Sequence, residues 1–130
     1  MGYLLDADFI VQALAGRSDA PGILNRLAPE GVATTWVTVG EVYEGAFGSP
    51  DPQLRLAAFR EFLRPLLVLG VDDPIMERFA EIRTLLRRQG QLISDFDIVL
   101  GATALWYDFT VLTYNLRHLR RIPNLKLYEF

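Results

Sequence analysis

The chain has 130 residues, is 51% hydrophobic, and carries thirteen basic against sixteen acidic side chains for a net charge of −3. That length suits one compact domain over 1–130 with ample apolar mass for a core, and the acidic balance excludes a protein that coats nucleic acid by bulk electrostatics. With no cysteine, disulfides, thiolate metal sites and thiol nucleophiles are excluded, and the longest uncharged windows, Gly31 to Gly40 and Ile98 to Tyr107, hold ten residues each, against roughly 20 for a membrane-crossing helix. Asp6 and Asp8 stand where an export signal would carry basic residues, so the expectation is a cytoplasmic protein with no membrane span.

Tyr3 to Asp6 reads as a short buried strand, and the spacing of Phe9, Ile10, Ala13 and Leu14 predicts a helix ending at Gly16. A second short helix is predicted over Ala20 to Leu27, followed by a strand from Gly31 to Trp36, rich in Val and Thr. Thr38-Val39-Gly40-Glu41 has capping-box form and predicts a helix through Phe47. Ser49-Pro50-Asp51-Pro52 then stops that helix and caps another running to about Arg64. Leu66 to Leu69 is a continuous apolar strand. Asp73-Pro74 opens a helix that sets Ile75, Phe79, Ile82 and Leu86 on one face and stops at Gly90. Ser94 caps a helix across Asp97 to Tyr107 that is apolar nearly all round, which predicts deep burial. Thr110 to Thr113 and Lys126 to Tyr128 supply the last strands. Strands alternating with helices predict an α/β domain whose mainly parallel sheet is covered on both faces.

Ligands of open parallel sheets bind beyond the carboxyl ends of the strands, and the predicted elements put Asp6, Asp8, Glu41, Asp95, Asp97 and Asn115 on that edge. Two carboxylates about 4 Å apart repel by roughly 4 kcal/mol at an effective dielectric of 20, so a cluster needs raised pKa values or a cation. A hard divalent ion, Mg²⁺ or Mn²⁺, suits oxygen donors in a chain without thiols, and such an ion activates water against a phosphodiester. Each acid also has a local reading: Asp6 and Asp8 as a turn and helix cap, Glu41 and Asp97 as capping-box partners, Asp95 as a first-turn acid beside a helix dipole.

The blocks "YLLDADFI", "TVGEVYEGA", "GQLISDFDIVLGATAL" and "LTYNLRHLRRIPNL", in that order and over nearly the whole chain, resemble those of PIN-domain ribonucleases of the VapC toxin type. The resemblance implies a three-layer α/β/α sandwich in which Asp6, Glu41 and Asp97 together hold magnesium or manganese. Asn115 corresponds to a fourth acidic or amide position and Thr113 to a hydroxyl two residues before it. Ala7 and Asp8 depart from the commoner Asp-Thr-Asn form of the first block, placing an acid where that form has an amide. Further implications are endoribonuclease action on structured RNA such as transfer RNA, inhibition by a VapB-like antitoxin, and a homodimer.

Twelve of the thirteen basic residues are arginine. Arg83, Arg87 and Arg88 share one helix, with Arg87 and Arg88 read as a solvated face, whereas Arg117, Arg120 and Arg121 follow Asn115 closely enough to contact RNA phosphates. His118, the single histidine, is read as a surface residue, and Trp106 and Tyr107 as core or interface residues. The helix after Pro52 crowds Leu54, Leu56, Phe59, Phe62 and Leu63 beyond the needs of one core face, which suggests a dimer or antitoxin groove. A competing enzyme is a haloacid-dehalogenase-like phosphatase using Asp6 and Asp8, with Thr35, Asp95 and Asp97. It lacks the expected lysine before the late acids, since Lys126 is the only lysine. A signalling receiver phosphorylated at Asp72 has the same lysine in the wrong place, and a catalytically inactive PIN-like binding module is a third reading.

Overall fold

A computed structural model describes residues 2–129. The elements are β1 (Tyr3–Leu5), α1 (Ala7–Leu14), α2 (Ala20–Leu27), a 3-10 turn (Ala28–Glu30), β2 (Val32–Thr35), α3 (Trp36–Phe47) and α4 (Pro52–Leu63). There follow β3 (Leu67–Leu69), α5 (Asp73–Arg88), α6 (Asp95–Tyr107), β4 (Thr110–Leu112), α7 (Leu116–Leu119) and β5 (Lys126–Leu127). All four strand pairings are parallel, in the order β3-β2-β1-β4-β5. The chain thus leaves β1 toward one edge and later returns to its other side, which opens a crevice beyond the carboxyl ends of β1 and β4.

Side chains on a strand point alternately to opposite faces, and here the alternation divides two cores. Leu5 and Leu112 enter one with Phe9, Val42 and Phe59, beneath helices α1 to α4. Leu4 and Val111 enter the other with Ile75, Leu86 and Ile98, beneath α5 and α6. The sheet is therefore the middle of three layers, as expected. Helix α6 buries seven consecutive residues, Ile98 to Ala104, because it packs on the sheet, on α5 and on α7. At Gly101 a Cβ would lie 2.4 Å from Ile122 Cδ1, so glycine admits the segment that follows α7 against α6.

Several boundaries differ from expectation for local reasons. The predicted capping box at Thr38 is displaced: α3 starts at Trp36, and Thr35 is its N-cap, its hydroxyl oxygen accepting from the Thr38 N–H at 3.0 Å. Glu41 lies inside the helix and caps nothing at its start. The α6 helix begins at Asp95, two residues before the expected start, with Ser94 capping as predicted. Helix α7 and the 3-10 turn were not predicted; both are too short for a periodic pattern to emerge. Trp106 and Tyr107 stand exposed rather than in the core, and Tyr107 stacks on Phe109 at 5.7 Å. On α4, Leu56, Phe59 and Leu63 are core residues, and Leu54 alone of the five remains strongly exposed. No helix among the described residues is long and apolar enough to cross a membrane.

Candidate metal centre and catalytic cleft

The end of β1 carries straight into a helix cap. Asp6 is the N-cap of α1, and one carboxylate oxygen accepts from the Phe9 N–H at 2.8 Å. The other oxygen accepts from the Thr113 hydroxyl, at the end of β4. Thr113 Oγ1 in turn accepts from the Asn115 N–H at 2.8 Å, and Asn115 Nδ2 donates to Asp97 Oδ2 at 3.3 Å. Asp97 is set at this height because Ser94 caps α6, accepting from the Asp97 N–H at 3.1 Å. Asp6, Thr113, Asn115 and Asp97 are thereby joined in one chain of hydrogen bonds. Asp6 thus caps α1 through one oxygen and is tied to β4 through the other, so the local reading as a helix cap and a position among the acids coexist.

Asp6, Asp8, Glu41 and Asp97 line a single cleft of about 450 Å³ together with Ala7, Ser94, Tyr114 and Asn115. Burial pushes the Asp6 carboxyl up to about 6, and the charges of Asp8 and Asp97 add to it, against the lowering effect of the Thr113 and Phe9 hydrogen bonds. Glu41 is pushed up to about 7 by burial and then by the negative charges of Asp97, Asp6 and Glu44. Asp97 is also raised by burial, with the Ser94 hydrogen bond and the His118 charge pulling the other way. No arginine or lysine is among the groups that shift these three acids.

The donor set fits a hard divalent cation. Its groups are carboxylate and amide oxygens, no arginine or lysine balances their mutual repulsion, and the chain has no thiolate donor. Among the described residues no three acid or histidine side chains are already gathered tightly enough to hold an ion unaided. Magnesium does not need such a cage, since it keeps several waters and is held through one or two carboxylates.

Other predicted residues lie elsewhere. Asp95 turns away to pair with Arg83 at 2.8 Å and is largely exposed. Arg120 pairs with Glu129 at 3.5 Å, and Arg121 donates to the Gln91 and Leu92 carbonyls at 3.3 and 3.2 Å; Arg117 is exposed on α7. His118 is half-buried and close enough for its charge to act on Asp97, which a surface reading missed. Tyr114 was also missed. It lines the cleft, stacks on Phe9 at 5.5 Å, and donates its hydroxyl to Asp19 at 2.7 Å. Its place between Thr113 and Asn115 was the only available signal. The receiver reading loses its residue, since Asp72 caps α5 and accepts from the Ile75 N–H at 3.4 Å, and the phosphatase reading keeps Asp6, Asp8 and Asp97 in the cleft but loses Asp95 to Arg83 and Thr35 to the α3 cap.

A parallel sheet whose switch-point crevice is lined by acids from three separate blocks is the arrangement of the PIN domain, and residues 3–125 match that family. The chain belongs to it. Its relatives within the family include VapC ribonucleases. It is 29% identical to ribonuclease VapC2 of Haemophilus influenzae over 126 residues, covering 95% of this chain and 94% of the relative. It is 30% identical to the tRNA(fMet)-specific endonuclease VapC of Salmonella typhimurium over 94 residues, covering 72% and 71%. The fold matches the Rickettsia felis VapBC2 structure, solved with a promoter DNA fragment, with a TM-score of 0.92 at 24% identity over 100% of this chain and 99% of that one.

Proposed function

We propose that this VapC-type ribonuclease hydrolyses phosphodiester bonds in structured RNA with a magnesium or manganese ion held by Asp6, Glu41 and Asp97. The observation that carries the reading is the convergence of those carboxylates on one cleft with raised proton affinities and no arginine or lysine to balance them. When bound, the ion supplies a Lewis acid that offsets phosphate charge and makes water a better nucleophile. The residues have separate tasks. Thr113 donates to Asp6 and fixes the direction of that carboxylate. Asn115 does the same for Asp97. Asp8, on the first turn of α1 at the cleft wall, adds negative charge beside Asp6.

Glu41, pushed up to about 7 by burial and by the neighbouring acids, gives up its proton to hold the ion, and the ion's charge then offsets the repulsion that raised it. The specificity of the Salmonella relative for tRNA(fMet) supports a transfer RNA as substrate, and the VapBC complexes among its structural neighbours support control by a VapB-like antitoxin. The same reading treats 1–130 as one PIN-like domain that works in the cytoplasm as a homodimer.

The test is incubation of purified protein with total cellular RNA, with and without manganese, and mapping of the cut ends. Asp6→Asn, Glu41→Gln and Asp97→Asn are each expected to abolish metal-dependent cleavage while the circular dichroism spectrum stays native. Undiminished cleavage in all three variants overturns the assignment.

A further inference from the structure

Beside the acidic cleft, and sharing Ala7, Asp8 and Glu41 with it, a second cleft of about 390 Å³ runs between α1, α3 and α4. Ala7, Val11 and Gly45 give it an accessible apolar lining over a floor of the core residues Val42 and Phe59, and Arg17 and Arg55 stand at its walls. Its volume lies in the range of small-molecule sites, roughly 300–1,000 Å³.

The two arginines differ from the others by combining a free side chain with a place on the wall of this cleft. Arg26 donates to the Tyr128 hydroxyl at 2.7 Å, Arg60 lies over the Tyr43 ring at 5.2 Å, and Arg64 and Arg78 pair with Glu61 and Glu81. Arg83, Arg120 and Arg121 are held as described above. That leaves Arg17, Arg55, Arg87, Arg88 and Arg117 without an ion pair or side-chain hydrogen bond among the described residues. Of these, only Arg17 and Arg55 line a cavity that shares walls with the acids.

Turn geometry presents the first of them. Gly16 and Ser18 flank Arg17 with φ of 68° and 50°, and the Ser18 hydroxyl bonds back to the Arg17 carbonyl at 2.7 Å. Arg55 sits on the first turns of α4, which is capped by Asp51 at 3.2 Å from the Leu54 N–H.

From this juxtaposition we propose that the second cleft is the subsite for a nucleotide flanking the scissile phosphate, its base against the apolar lining and its phosphates on Arg17 and Arg55. The inference rests on the ribonuclease reading of the acidic cleft and adds to it a direction for the RNA, away from α7. Apolar cleft walls accept a base face without reading its identity, and free guanidinium groups hold phosphate oxygens in paired hydrogen bonds. Position in sequence had favoured Arg117, Arg120 and Arg121, but two of those three already have partners.

The experiment measures binding apart from cutting. A fluorescent single-stranded RNA oligonucleotide is titrated with the full chain in EDTA, and again with calcium, from 50 to 200 mM salt. The proteins compared are wild type, the double variant Arg17→Ala/Arg55→Ala, and Arg87→Ala/Arg88→Ala, which removes equal charge elsewhere. Each phosphate contact on single-stranded RNA contributes about 0.7 to the salt slope. Loss of two contacts therefore flattens the slope by about 1.4, so the salt-induced fall in affinity is about sevenfold smaller than in wild type. The Arg87/Arg88 variant is expected to keep the wild-type slope.

Equal flattening in both double variants, or no RNA affinity in wild type, overturns the subsite. So does unchanged RNA affinity combined with lost binding of an antitoxin peptide, which assigns the cleft to protein instead. Manganese-dependent cleavage by the wild type is scored separately: if it is absent while the binding pattern holds, the catalytic reading fails and the RNA track stands.

Discussion

Replacing Asp6 by asparagine should stabilise the metal-free protein, and by an amount that grows with pH. Asp6 is only 6% exposed, and its pKa stands at about 6 in the fold against 3.8 for the free carboxyl. A carboxyl whose pKa is higher in the folded state binds protons more tightly there. Its contribution is most favourable below the unfolded value and is lost as pH climbs through the folded one. At about 1.4 kcal/mol per pKa unit, the penalty of holding this charge is about 1 kcal/mol at pH 4.5 and about 3 kcal/mol at pH 8.

Asparagine removes that penalty and keeps an oxygen to accept from the Phe9 N–H, so the α1 cap survives. Urea unfolding in EDTA from pH 4.5 to 8 should show the two stabilities diverging by about 2 kcal/mol across that range. Manganese should then raise wild-type stability and leave Asp6→Asn unmoved. Parallel curves for the two proteins, in EDTA, would refute the reasoning, because they would mean that the buried carboxylate carries no penalty for a metal to relieve.

Thr113→Val removes the hydroxyl that donates to Asp6 and accepts from the Asn115 N–H; metal affinity from calorimetry should fall about 10- to 100-fold, as for other groups that orient ligands, with Thr113→Ser restoring most of it. Asp95→Asn should leave RNA cleavage rates within about twofold and cost under about 1 kcal/mol in urea, since its partner Arg83 forms an exposed pair. Manganese uptake at pH 6 should release protons, as measured by calorimetry in buffers of different ionisation heat, because Asp6 and Glu41 are pushed up to about 6 and 7 and must deprotonate to bind. The release should fade by pH 8.5.

The parts of the fold carried by strong local signals were legible in the sequence. The β1 block, the amphipathic α5 and the apolar α6 announced themselves through periodicity and caps, and they place Asp6 and Asp97 at one sheet edge. At α3 the sequence offered two hydroxyls in succession, and Thr35, bonded to both the N–H and the hydroxyl of Thr38, is the one that caps. Trp36 and Val37, good strand residues, hid that boundary. Asp95 illustrates the opposite limit: two residues from Asp97, it points about 200° away round the helix, toward an arginine twelve positions earlier on another helix. The commitments of Arg120 and Arg121 to Glu129, Gln91 and Leu92 are likewise tertiary facts, as is the meeting of Arg17 and Arg55 across one cleft.

The most direct measurement is isothermal titration of the wild-type chain with manganese at pH 7.5, beside Asp97→Asn. Saturable uptake by the wild type, sharply weakened in the variant, is the expected result. Absence of binding heat in the wild type across buffers, or uptake of equal strength in the variant, would contradict a cation held by the acids of this crevice.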